Sequence, residues 1–170
     1  MEDRAALRLF NNELRTIYLN VLYYNRRENA YKAIALASDV GIAALVCTGL
    51  VLTGAGKTSW ALGVQLVTAV VAFLRVYEAI RGQVSKYAFM RGKYYSLFVD
   101  ARAVHQKYAG GQLSARELTN ERERLINERQ RLAEIEDVPS STLVRKLQRK
   151  VNEYLPVEVL WPSHLWPRED

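Results

Sequence analysis

Residues 53–60 read TGAGKTSW, and their reading decides what kind of protein this is. Gly56-Lys57-Thr58 is the second half of a phosphate-binding loop, which needs Gly, four residues, then Gly-Lys-Ser/Thr. The position where the first glycine belongs holds Val51. Such a loop must also follow a buried strand and open a helix, because its backbone N–H groups cradle the phosphates from there. The flanks say otherwise. Ala33–Thr53, AIALASDVGIAALVCTGLVLT, is 21 residues with one charge, Asp39; Ser59–Leu74, SWALGVQLVTAVVAFL, has none. Neither run alternates, and both are too long for a strand. At about 1.5 Å rise per residue, some 20 helical residues cover the ~30 Å of a bilayer core.

The sequence therefore predicts an all-α protein built on a two-helix transmembrane hairpin, with spans at about 33–53 and 59–80. GAGKTS is the outer turn, its glycines supplying positive φ cheaply. The competing reading is a soluble bundle with two very apolar core helices; Asp39, Arg75, Glu78 and a mean hydropathy of -0.15 speak for it. A cleaved signal peptide does not fit, since 32 residues of mixed charge precede the first apolar run. Arg26, Arg27 and Lys32 precede the first span, and Arg75, Arg81, Lys86, Arg91 and Lys93 end or follow the second; the turn holds only Lys57. By the positive-inside rule both termini face the cytoplasm. Trp60 falls at the outer interface, and Tyr23, Tyr24, Tyr31 and Tyr77 near the inner one.

The hairpin divides the chain into a cytoplasmic amphipathic helix (1–32), the hairpin (33–80), a cytoplasmic helical, coiled-coil-like region (81–154) and an extended tail (155–170). In the first part Leu7, Phe10, Leu14, Ile17, Val21 and Tyr24 recur in steps of three and four, a heptad seam. The rhythm resumes beyond the second span through Tyr87, Met90, Tyr94, Leu97, Ala101 and Val104, without proline, so one helix runs from the membrane to about Tyr108 and stops at Gly110-Gly111. These two stripes, with Leu7, Phe10, Leu14, Ile17, Val21, Tyr87, Tyr94, Leu97 and Val104 at their centre, form a candidate oligomerisation seam. Packing against the protein's own core explains the same spacing equally well. SARE at Ser114–Glu117 is a capping box that opens a third helix, striped by Leu118, Leu125 and Leu132 and dense in Glu and Arg. Pro139 separates it from a last helix, about 142–154, striped by Val144, Leu147, Val151 and Tyr154. The tail holds three of the four prolines and two of the three tryptophans.

Net charge is +6, but from Arg81 onward 16 basic and 12 acidic residues are interspersed, which argues against a nucleic-acid footprint. Anionic headgroups would attract the cations nearest the spans. Cys47 is alone inside the first span, and His105 and His164 have no zinc-ligand spacing. No catalytic constellation, cofactor motif or metal site is recognisable, so the expectation is a non-enzyme. The informative polar residues are those inside the apolar runs: Asp39, Gln65 and Arg75. A buried charge is costly unless paired, which predicts Asp39 beside Arg75 as an inter-helix clasp. In an oligomer the three would line a conduction path.

The order of parts resembles the SLATT family of small two-span membrane effectors. The resemblance covers about 5–110: the entry LYYNRRENAYKAIALASDVGIAAL, the turn TGAGKTS, and the exit FLRVYEAIRGQVSKYAFMRGKYYSLFVDAR. It implies a bacterial inner-membrane effector of an antiphage, abortive-infection system, which oligomerises and permeabilises the membrane when triggered. It also implies the lipid bilayer, further copies of the chain and a cytoplasmic sensor or nucleotide-signalling protein as partners. The alternative is a passive membrane scaffold whose cytoplasmic helices recruit a partner.

Overall fold

A computed structural model describes residues 2–54, 60–135 and 141–155; side chains at many positions between 42 and 75, including Cys47, Gln65 and Arg75, lie outside that description, as do the turn at 55–59 and the tail from 156. The described residues form four helices and no strand. Helix α1 spans Glu2–Gly54, α2 Trp60–Ala109, α3 Ala115–Ala133 and α4 Ser141–Tyr154. The boundary drawn at 32/33 from composition is not a break in the backbone. Nothing there ends a helix: no proline or glycine occurs between Glu2 and Val40, and a change from polar to apolar side chains leaves the main-chain ladder intact.

Two compact units share these helices. The first comprises Met1–Asn25 with Phe89–Asp170, the second Arg26–Ala88. In the first unit Leu7, Phe10, Leu14 and Ile17 of α1 are buried, as are Met90, Tyr94 and Ala101 of α2, Leu118 and Leu125 of α3, and Leu147 and Val151 of α4. Each large apolar side chain withdrawn from water contributes about 1.5–3 kcal/mol. The α1–α2 pairing is antiparallel: Tyr18 meets Phe98 at 4.8 Å between ring centroids, and Tyr24 stacks on Tyr94 at 5.5 Å. The second unit repeats this direction, with Tyr31 against Tyr87 at 5.3 Å and a Cβ built on Gly41 meeting the Phe73 ring at 3.9 Å.

The junction between α2 and α3 follows the expected turn chemistry. Gly111 has φ 72°, a conformation glycine adopts without the steric cost of a side chain. The N–H of Gln112 donates to the Lys107 carbonyl (2.9 Å) and that of Gly111 to Tyr108 (3.0 Å), satisfying carbonyls that α2 leaves open. Three residues later the capping box is complete: Glu117 N–H donates to the Ser114 hydroxyl (3.3 Å), and Ser114 N–H donates to the Glu117 carboxylate (2.8 Å). Along the solvent face of α3, Arg124 pairs with Glu121 (2.8 Å) and Glu128 (3.0 Å).

Helices α3 and α4 are fastened to α1 by polar contacts as well as leucines. Arg129 Nε donates to the buried Glu13 carboxylate at 2.6 Å. Arg15 donates to the Asn152 side-chain oxygen of α4.

Candidate functional site

Nine residues were expected to form a seam, and all nine are buried within one chain: Leu7, Phe10, Leu14, Ile17, Val21, Tyr87, Tyr94, Leu97 and Val104. In this state their faces are occupied by the chain's own helices. The same residues are available to a second copy only if α3 and α4 move away or the α1–α2 contact opens.

Of the three polar positions in the apolar runs, Asp39 is the one whose side chain is described. It is exposed, and it lies near the Tyr77 hydroxyl of α2, with Arg81 beside the same tyrosine. The Arg81 guanidinium lies 4.5 Å from the centre of the Tyr77 ring, a cation–π geometry. Asp39 thus has a neighbour on α2. Gln65 and Arg75 side chains, and the GAGKTS turn, fall outside the described residues.

A second acid escaped sequence reading. Glu28 is 1% exposed, and Lys32, one turn on, closes a 2.6 Å ion pair with it while keeping its own ammonium half in solvent. The long lysine stem allows this, since its methylenes can lie along the helix while the head reaches water. Large apolar side chains nearby do the opposite and face out: Ile34, Leu36 and Val40 on α1, Leu74 and Val76 on α2, each about half exposed or more. Among the described residues no helix is long and apolar enough to cross a membrane, and no three His, Cys, Asp or Glu side chains converge as metal ligands.

The first unit contains a groove of about 530 Å³. One wall is a face of α2, on which Arg91, Gly92, Tyr95, Phe98 and Arg102 follow at helical spacing. The other is α1, with Tyr18, Val21, Leu22 and Asn25, and Tyr154 at the end of α4 closes one side. Tyr18 is held between Phe98 and Tyr154, with both centroids at 4.8 Å. Burial, and then the neighbouring Tyr154, push the Tyr18 phenol above its ordinary pKa, so it stays a protonated donor at neutral pH. Arg102 lies 5.9 Å from the centre of the Phe98 ring.

Comparison of the chain with known protein families, with curated proteins and with solved structures finds no match. The site must be read from its own chemistry. The groove offers guanidinium groups, phenols, an amide and aromatic faces, with no carboxylate in its lining. That set can bind and orient; it holds no nucleophile with an adjacent base. The signal in the sequence was the spacing Arg91, Tyr95, Phe98, Arg102, a stripe flanking the seam. It is visible only once Tyr18 and Tyr154 are known to face it from two other helices.

Proposed function

We propose that this protein is a two-span membrane effector held in a closed state by its helical head. Its apolar helices form a hairpin in a bacterial inner membrane, with both termini on the cytoplasmic side, and it permeabilises that membrane when further copies assemble. The carrying observation is the outward-facing set Ile34, Leu36, Val40, Leu74 and Val76. These side chains lie at the cytoplasmic ends of the nearly uncharged runs of α1 and α2, four of them within the runs, and a hydrocarbon environment accounts for their exposure where water does not. The Asp39–Tyr77–Arg81 group and the Glu28–Lys32 pair suit the cytoplasmic rim, where aromatic and basic side chains favour the interface. A two-helix hairpin cannot enclose a pore alone, so conduction requires several copies. The internally satisfied seam is then the safety catch. The resemblance to SLATT effectors supports the same reading and an antiphage role.

Burial of all nine seam residues in one chain also favours a passive scaffold, whose head stays closed and serves as a platform. One experiment separates the two. The full chain and a seam-loosened variant, Leu14→Ala/Ile17→Ala, are expressed in a bacterium, membrane insertion is confirmed by resistance to carbonate extraction, and membrane potential is followed with a voltage-sensitive dye. The effector reading expects the loosened variant to depolarise cells more strongly than the wild type. An inserted variant that leaves the potential intact supports the scaffold. A carbonate-soluble chain refutes both.

A further inference from the structure

We propose that the groove between α1, α2 and α4 is a binding site for a nucleoside phosphate. The proposal concerns residues of the first unit alone and holds whether or not the helix pair spans a bilayer.

The shape comes from helical geometry. Arg91 and Arg102 are eleven residues apart on α2, three turns, so they share a face and stand about 16 Å apart along the axis. Tyr95 and Phe98 lie between them on that face, and Gly92 leaves a notch beside Arg91: a Cβ built there meets nothing within 4 Å. From α1, Tyr18 stacks into the middle of the stripe and Asn25 contributes an amide. Tyr154, 57% exposed, lies stacked on Tyr18 at the rim. The result is a slot with aromatic walls and a cation toward each end.

Each element selects for a different part of the ligand. Tyr95 is 58% exposed beside the slot, and an exposed ring in a groove presents a π-face on which a planar base can stack. Arg102, placed along the Phe98 ring, offers the planar fork of donors that matches phosphate oxygens. The protonated Tyr18 hydroxyl and the Asn25 amide supply donors and an acceptor for a polar base edge or a ribose. No acidic side chain lines the slot, so a cationic ligand has no counter-charge, while an anion meets the Arg102 guanidinium. A volume of about 530 Å³ falls within the range of small-molecule sites, roughly 300–1,000 Å³. A bare anion would leave the aromatic walls wet, and an uncharged aromatic would leave the Arg102 fork unused.

The test uses the purified full chain in detergent micelles. AMP, GMP and UMP are titrated by calorimetry, with adenosine and inorganic phosphate as separate arms. The expected result is saturable binding of at least one nucleotide, one per chain, with its nucleoside and free phosphate each weaker by tenfold or more. Arg102→Ala should weaken binding by about tenfold. Gly92→Leu should abolish it, because the new side chain fills the notch without meeting a neighbour at its Cβ. Both substitutions are at exposed positions, and unchanged helix content and unfolding midpoint check that the head is intact. Three results overturn the proposal: no saturable binding of any of the three at millimolar concentration, phosphate alone binding as tightly as the nucleotides, or binding that Gly92→Leu leaves unchanged.

Discussion

Arg129→Ala removes one half of the ion pair that fastens α3 to α1. The Glu13 side chain is 9% exposed and that of Arg129 28%, with 2.6 Å between Oε1 and Nε. A fully exposed pair would matter by less than about 1 kcal/mol. Stripping one partner from a fully buried pair costs about 3–5 kcal/mol, because an uncompensated charge is left in low dielectric. Glu13 is near the buried limit, but the cavity left by Arg129 opens partly to water, so the expected loss is about 2–3 kcal/mol. Glu13→Gln keeps an acceptor oxygen facing the guanidinium and should lose about 1 kcal/mol. Replacing both, as Glu13→Gln/Arg129→Ala, removes the stranded charge and should cost less than the sum of the two single substitutions. Urea unfolding of the four proteins, followed by circular dichroism, gives the cycle. An Arg129→Ala loss below about 0.5 kcal/mol would place the pair with ordinary surface salt bridges. A double variant whose loss is additive would show that the two groups are not coupled. Either result refutes the account of how α3 is held.

Tyr94→Ala should cost about 3–5 kcal/mol, since the ring is fully buried and stacked on Tyr24; the unfolding midpoint reads it. Two glycines of α2 and its end should respond in opposite directions to alanine. Gly82 is in mid-helix with open space around its Cβ, so Gly82→Ala should stabilise by about 0.5–1 kcal/mol, whereas Gly111→Ala, at φ +72°, should destabilise by about 1 kcal/mol. Ser114→Ala removes the cap hydroxyl from α3 and should cost about 1 kcal/mol. The Ser114 backbone N–H, then its hydroxyl, holds the Glu117 carboxyl below its ordinary value. A lowered folded-state pKa contributes stability above the unfolded value that is lost as pH falls through the folded one. Acidification should therefore fray the start of α3, and in Ser114→Ala the Glu117 titration, read by NMR, should move part of the way back up.

Much of the helix layout was legible because its causes are local. The end of α2 at Gly110-Gly111, the box at Ser114 and Glu117, and a last helix expected from about 142 and found from Ser141 each rest on a few adjacent residues. The seam was legible as a stripe, from Leu7 to Val21 and from Tyr87 to Val104. Its partner was not, because periodicity shows that a face is buried without showing against what. The groove was hidden for the same reason: Tyr18, Phe98 and Tyr154 come from three helices, and only their packing makes one surface. Glu28 stands between Arg27 and Lys32 in the sequence, and nothing in that local pattern marks its burial. Asp39 was matched to Arg75 by charge; the Arg75 side chain lies outside the described residues, and Tyr77 is the neighbour that the structure does describe.

The distances along the chain between contacting residues bear on how the protein is made. Tyr18 rests on Phe98, and Glu13 and Arg15 wait for Arg129 and Asn152, which are 116 and 137 residues downstream. At about 5–20 residues per second of synthesis, Leu7, Phe10, Leu14 and Ile17 emerge roughly 4–16 seconds before the α2 face that covers them. During that interval the newborn N-terminus presents a greasy amphipathic ribbon, and its apolar successor emerges next. A ribosome carrying such a chain has a reason to be met early by a chaperone or an insertion machine, before the protein owns the fold described above.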